Sequence, residues 1–281
     1  VAAKENDANK IIIATADDEM IEAIGASTVL YGGSKNASVE STSITINSGT
    51  IKTVFGGGYG ESSSTFANVT TANIAVHGGE VAYLMVGGGK YYAKTGTVNI
   101  TMDNSDAIID EIYAGGYDAG ETGNTITTPL DQSNNGVKTV NITLTAGTIR
   151  SAIGLGGGQG WTRTGKSTIR AANVKLGGIL ATDSNGHADD IDAKFKDCTF
   201  SGGYKSIASI NRGMIDKATF VFEDCTFAND IEAYIGAGSG WANSDTNGMP
   251  TPEVTESISY EFKNCQGVPT VKIGEGLTNA N

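Results

Sequence analysis

The chain has 281 residues, with 19 lysines and arginines against 31 aspartates and glutamates, and a formal net charge of −12. This balance disfavours nucleic acid and anionic membranes as main partners, because both are polyanions. The 39 glycines are about twice the usual share, and the 4 prolines are too few for collagen or a proline-rich linker. Strand and turn residues dominate, which excludes a helical bundle and argues against an α/β nucleotide-binding enzyme. No apolar run approaches the roughly 20 residues of a membrane span, so we expect no membrane insertion.

The chain begins with a polar stretch, residues 1–10, in which no basic region precedes an apolar one. We therefore expect a mature or trimmed N-terminus. The segment 17–24 (DDEMIEAI) follows, with acidic residues at its start. It predicts either a short helix that caps the open end of a stack of strands or an ordinary loop followed by a strand.

One pattern then recurs through the first half of the chain: an alternating strand, a glycine corner, a second short strand and a run of glycines. A unit with such short strands cannot bury its apolar face alone, so stacked units must share one interior column. Loops of varying length separate the strands, and the unit averages about 31 residues. The glycine runs are 32–33, 56–58, 87–89, 115–116 and 156–158.

After residue 170 the unit changes its signature to Phe-x-(Asp/Asn)-Cys, at 195–198, 222–225 and 262–265. The Asp or Asn suits a sharp corner with left-handed backbone. We expect the three cysteines to stack as an interior ladder of free thiols, with a disulfide between neighbours as the alternative. The pattern predicts an all-β, right-handed parallel β-helix of about eight coils, a single domain over 1–281. Glycine-run coils occupy 11–170 and Phe-x-Asp-Cys coils occupy 171–273. A β-sandwich, the rival fold, would not repeat this order.

Two sets of residues resemble a known family. The phrase GGSKNASVESTSITINSGTIKTVFGGGYG looks like pectate-lyase-like right-handed parallel β-helix domains of bacterial surface and adhesive proteins. The FKDCTF, FEDCTF and FKNCQ copies are similar to the corner-and-strand ladders of such helices. The resemblance covers about Ile11 to Ile273 and implies a secreted or cell-surface location. It leaves the activity open, because this architecture hosts lyases, hydrolases, tail spikes and adhesins alike.

Enzymes of this architecture carry motifs that we do not find here. Hydrolytic relatives have NTD, GHG and RIK motifs, and none occurs in this chain. The segment 185–192 is the nearest remnant, since a histidine beside carboxylates can do acid–base work or hold calcium. A solvated polar turn is the other interpretation. We predict no catalytic residue and no resident metal or cofactor, with calcium left open. The residues of this acidic cluster are His187, Asp189, Asp190 and Asp192.

Aromatic residues come just after the glycine runs. If the runs align between coils, these rings line one edge of the solenoid and offer flat faces for sugar rings. The alternative is that they cover backbone left bare by the glycines. The candidate glycan-binding residues are Tyr59, Tyr91, Tyr92, Tyr117, Trp161, Tyr204 and Trp241.

These features predict an extracellular bacterial adhesion domain that binds a polysaccharide or host glycan along the aromatic edge, with other surface proteins as further partners. The long loops 118–137 and 241–257 are the expected specificity elements. One alternative is a polysaccharide lyase or glycoside hydrolase of the β-helix type. The other is a structural segment of a fibre or surface layer that acts through protein–protein stacking.

Overall fold

The computed structural model describes residues 10–13, 28–118, 130, 133–158, 160–182, 186–202, 206–210, 213–235 and 253–273. The predicted capping helix at 17–24 lies outside these residues, as do Tyr204, Trp241 and most of the two long loops. No helix within the described ranges is long and apolar enough to cross a membrane. In these ranges the regular elements are strands: β1 (Lys10–Ile13), β2 (Val29–Tyr31), β3 (Val39–Ile46), β4 (Thr50–Phe55), β5 (Tyr59–Gly60), β6 (Val69–Val76), β7 (Glu80–Val86), β8 (Lys90–Tyr91), β9 (Thr95–Met102), β10 (Ile108–Ile109), β11 (Ile112–Tyr113), β12 (Gly136–Leu144), β13 (Thr148–Ile149), β14 (Ile153–Gly154), β15 (Arg163–Ala172), β16 (Lys175–Leu176), β17 (Ile179–Thr182), β18 (His187–Lys196), β19 (Thr199–Phe200), β20 (Ser206–Ile210), β21 (Met214–Glu223), β22 (Thr226–Phe227), β23 (Glu232–Ile235), β24 (Glu253–Lys263) and β25 (Val271–Ile273).

Two parallel sheets run along the stack. Sheet A has nine strands in the order β1-β3-β6-β9-β12-β15-β18-β21-β24. Sheet B has fourteen strands and divides beyond β7 into one arm that starts at β10 and another that starts at β11. A small sheet C pairs β5 with β8. The predicted parallel β-helix is confirmed. It has about six turns, slightly fewer than the eight predicted.

Register in sheet A follows from the alternation of side chains. In β12 the residues Val140, Ile142 and Leu144 are buried while Asn141 and Thr143 are exposed, because successive side chains of a strand point to opposite faces. The register is kept although the coils differ in length, from 24 residues between paired Ile169 and Ala193 to 42 between paired Ile100 and Ile142. Insertions are therefore absorbed in the loops. One interior column of this sheet is Ile44, Ile74, Ile100, Ile142 and Ile169.

The glycine runs stack in register on one another. The Gly57 amide donates to the Gly88 carbonyl at 3.0 Å, and the Gly88 amide donates to the Gly115 carbonyl at 2.9 Å. A Cβ placed on Gly57 would lie 2.5 Å from the backbone nitrogen of Gly89. Only glycine allows the main chains of neighbouring coils to approach this closely.

The C-terminal coils are held by aromatic rings and by corners that carry a cysteine. Phe222 stacks on Phe195 and on Phe262, with ring centroids 5.3 and 5.0 Å apart. The corner residues Asp197, Asp224 and Asn264 have φ values of 50°, 55° and 53°, so the predicted left-handed backbone is confirmed. The three thiols are free, and each donates to main-chain carbonyls of its own or the preceding coil. The cysteines are Cys198 and Cys225, which are buried, and Cys265, which is partly exposed.

Candidate functional site

Sheet C and the isolated bridges beside it place lysines and tyrosines at equivalent positions on four successive coils. Tyr59 pairs in register with Lys90, and isolated bridges join Lys35 to Tyr59 and Lys90 to Tyr117. The chain reaches these positions directly after a glycine run, where the closely packed main chains fix the height of each coil. Residues in parallel register share one face of a sheet. The result is a row along the solenoid axis in which the residue type alternates: Lys35, Tyr59, Lys90 and Tyr117.

Four tyrosine rings lie against or beside this row, and we call Tyr31, Tyr59, Tyr91 and Tyr117 the tyrosine edge. The ring centroid of Tyr59 lies 5.5 Å from that of Tyr31 and 5.3 Å from that of Tyr91, both edge-to-face. All four rings are half-buried. Edge-to-face packing at this separation is favourable and leaves ring surface open to a ligand.

Buried aromatic rings support the tyrosine edge from below. Tyr31 stacks on Phe55 at 4.6 Å, and Tyr117 stacks on Tyr113 at 5.9 Å. Phe55 and Tyr113 belong to a small apolar cluster, separate from the main core, that also contains Leu180. The tyrosine edge therefore rests on a buried apolar base.

Polar groups surround the rings. The Lys90 ammonium lies 4.6 Å from the centroid of Tyr91 and 5.8 Å from that of Tyr117. Lys35 is 6.0 Å from the Tyr59 ring and forms an ion pair with Glu61 at 2.7 Å. The hydrogen bond from Lys35, and then that from Asn36, holds the pKa of Glu61 below its ordinary value. Ammonium, amide and carboxylate groups, which can form hydrogen bonds with hydroxyls, therefore lie beside an apolar ring surface.

Burial raises the pKa of one phenol of the tyrosine edge. Desolvation, followed by the neighbouring Tyr59 and Tyr91 phenols, raises the pKa of Tyr31 to about 12. The Tyr31 hydroxyl therefore stays protonated at physiological pH and keeps a hydrogen to donate.

The other predicted aromatic residues do not join this group. Tyr92 packs edge-to-face on Phe66 at 5.8 Å instead. Trp161 is half-buried with a left-handed φ of 56°, and no ring of the described ranges contacts it. Tyr204 and Trp241 lie outside the described residues. Of the seven predicted ring residues, the structure brings Tyr59, Tyr91 and Tyr117 together.

A second cluster forms at the beginning of β18 and β21, and we call Arg163, His187, Asp189 and Asp216 the His187 cluster. The His187 side chain is 5% exposed, and its Nε2 lies 3.0 Å from Oδ1 of Asp216 and 3.7 Å from Oδ1 of Asp189. Arg163 donates from Nε to Asp189 at 2.8 Å. A second guanidinium nitrogen lies 4.0 Å from Asp216. The cluster thus joins a buried imidazole, two carboxylates and a guanidinium through contacts of 4.0 Å or less.

This cluster could also hold a cation. One ligand atom each from His187, Asp189 and Asp216 lie within 4.8 Å of one another. Nitrogen and carboxylate ligands suit a divalent transition metal better than calcium, which prefers oxygen alone. Arg163 already supplies positive charge to Asp189, so a cation would compete with its guanidinium.

The predicted acidic cluster is thus divided by the structure. Asp192 forms a two-point ion pair with Arg170, with N–O distances of 3.1 and 2.7 Å. Asp190 lies in register between Lys166 and Lys217 of the flanking coils. Only His187 and Asp189 of the predicted set belong to the His187 cluster.

The sequence contained a signal for the missing members. The phrase Gly-His-Ala-Asp at 186–189 recurs one coil later as Gly-Met-Ile-Asp at 213–216, and the strands pair with His187 opposite Met214. Aligning the two phrases would have placed Asp216 beside Asp189. Arg163 has a similar signal, because it opens β15 at the position paired with His187. Comparison of the chain with protein-family models, with curated proteins and with solved structures found no match.

Proposed function

We propose that this protein is an extracellular bacterial surface domain that binds a polysaccharide or host glycan along the tyrosine edge. The observation that carries the proposal is the contact of Tyr59 with Tyr31 and Tyr91 at 5.5 and 5.3 Å. It creates one half-exposed aromatic surface across several coils. The C–H faces of sugars pack on aromatic rings, and the flanking ammonium and amide groups bind sugar hydroxyls.

The burial of the rings favours binding over a purely structural role. Phe55 and Tyr113 lie beneath the edge and are nearly fully buried, so they provide the packing at this corner. Tyr59, Tyr91 and Tyr117 lie above them and remain partly accessible. Exposed aromatic surface on a rigid base is typical of recognition sites.

The test is a glycan array followed by titration of each binding glycan. We expect the double variant Tyr59→Ala/Tyr91→Ala to weaken binding at least tenfold. Tyr83→Ala is the matched control, because Tyr83 is 54% exposed and has Lys52 at 5.9 Å from its ring but lies outside the edge. It should change affinity less than twofold. Unchanged binding by a folded double variant would refute the proposal.

Glycan cleavage is the second candidate, favoured by the His187 cluster. In this case His187 accepts the proton that the attacking water or the uronate carbon loses, and the leaving glycosidic oxygen takes up a proton as its bond to carbon breaks. Asp216 orients the imidazole, and Arg163 binds a substrate carboxylate. Release of sugar from uronate and neutral polysaccharides would be measured with calcium and with a chelator. His187→Ala and Asp216→Asn should abolish the release. The control is Asp192→Asn, since Asp192 pairs with Arg170 and should keep activity. A wild-type protein that binds glycans but releases no sugar excludes this candidate.

A further inference from the structure

We infer that the tyrosine edge selects an acidic glycan in which a charged sugar alternates with an uncharged one, lying parallel to the solenoid axis. This inference rests on the proposed function and specifies its ligand class. It starts from the alternating row Lys35, Tyr59, Lys90 and Tyr117, whose members are in parallel register on successive coils.

The row has a period of two coils. Neighbouring parallel strands are about 4.8 Å apart, so like residues in the row recur about every 9.6 Å. This distance is close to the length of a disaccharide in an extended β-linked polysaccharide. A chain that lies along the row therefore presents equivalent sugars to Lys35 and Lys90, and the sugars between them to Tyr59 and Tyr117.

The two lysines are available to an anionic sugar. Lys90 contacts the rings of Tyr91 and Tyr117, and within the described ranges no ion pair engages it. Lys35 pairs with Glu61, but the two side chains are 65% and 47% exposed. Exposed pairs contribute little to stability, so a ligand carboxylate can replace Glu61 at small cost.

The charge must alternate along the glycan because the positive charge alternates along the row. A sugar opposite Tyr59 meets an aromatic ring, and the Lys35 ammonium lies 6.0 Å from the centroid of that ring. A carboxylate there would lie farther from an ammonium than one opposite Lys35 or Lys90, so it would gain less from charge pairing. The net charge of −12 also opposes a dense polyanion, although physiological salt screens this repulsion beyond about 8 Å.

The experiment compares three hexasaccharides by titration calorimetry at physiological salt. The alternating probe is the hyaluronan hexasaccharide, the neutral probe is chitohexaose, and the fully charged probe is the galacturonate hexamer. We expect the alternating probe to bind at least tenfold more tightly than either of the others. Lys90→Met should remove most of this preference, because it should weaken binding of the alternating probe far more than binding of chitohexaose. Lys52→Met is the control, since Lys52 also lies near a tyrosine ring, at 5.9 Å, but outside the edge.

The outcomes separate this inference from the proposed function. Equal binding of the neutral and alternating probes, both lost in Tyr59→Ala, would overturn the inference and leave glycan binding intact. Tighter binding of the galacturonate hexamer would overturn the alternation. Failure of all three probes would overturn the inference, and the glycan array would then decide the proposed function on its own. Loss of the preference in Lys90→Met but not in Lys52→Met would support the inference.

Discussion

Replacing Phe222 by alanine should strongly destabilise the C-terminal coils. Its ring is fully buried and stacks on Phe195 and Phe262 at 5.3 and 5.0 Å, with interplanar angles of 11° and 13°. Deleting a buried phenylalanine costs about 3–5 kcal/mol. Each aromatic pair is worth about 0.5–1.5 kcal/mol beyond burial. Since two stacked pairs are lost together, we expect the free energy of unfolding to fall by about 5 kcal/mol, near the upper end of the range for a buried phenylalanine.

Urea denaturation would measure this decrease as a change in the free energy of unfolding. Phe222→Leu keeps most of the volume and should cost about 1.5 kcal/mol or less. Phe66→Ala removes a half-buried ring and should cost about 1 kcal/mol. A lower m-value in Phe222→Ala would show that the C-terminal coils unfold separately, as stacked repeats can. A loss below about 2 kcal/mol with an unchanged m-value would refute the packing argument.

Three further predictions concern stability and reactivity. Gly57→Ala should destabilise the fold by about 1–3 kcal/mol, because its Cβ would overlap the main chain of the next coil; an unchanged melting temperature would contradict this. Hydrogen bonds from Lys196, and then Lys194, lower the pKa of Glu223, so Glu223 stabilises the fold above its unfolded pKa and this effect disappears as pH falls through the lowered value. Glu223→Gln should therefore be less stable than wild type at neutral pH and equally stable in strong acid, by denaturation at both pH values. Cys265 should react first of the three thiols with an alkylating reagent followed by mass spectrometry, because burial covers the other two; equal rates would show that the C-terminal coils open together.

The parallel solenoid could be predicted because its signal is local and repeated. Alternation such as Val-Asn-Ile-Thr-Leu at 140–144 fixes the buried face of a strand, and the glycine runs mark where each coil turns. The Asp or Asn before each cysteine likewise marks a left-handed corner, because its short polar side chain tolerates that backbone conformation. These features depend on neighbours in sequence, so the sequence alone shows them.

The candidate sites were predicted only in part because their members come from different coils. Asp216 reaches His187 across 29 residues, so the contact is indicated only when the phrases at 186–189 and 213–216 are aligned coil on coil. Tyr31 joins the tyrosine edge although it precedes its glycine run, so a rule based on residues after the run misses it. The alternation of lysine and tyrosine depends on the pairing of β5 with β8, which loop length decides.

The unequal coils give this solenoid a distinctive response to mechanical load. A chain pulled from one end would peel coil by coil, since each coil is paired to its neighbours through in-register main-chain bonds. A released chain extends by about 3.3–3.6 Å per residue. The 24-residue coil from Ile169 to Ala193 would then lengthen the molecule by roughly 80 Å, and the 42-residue coil from Ile100 to Ile142 by roughly 150 Å. The step lengths in a force–extension trace would identify which coil had yielded.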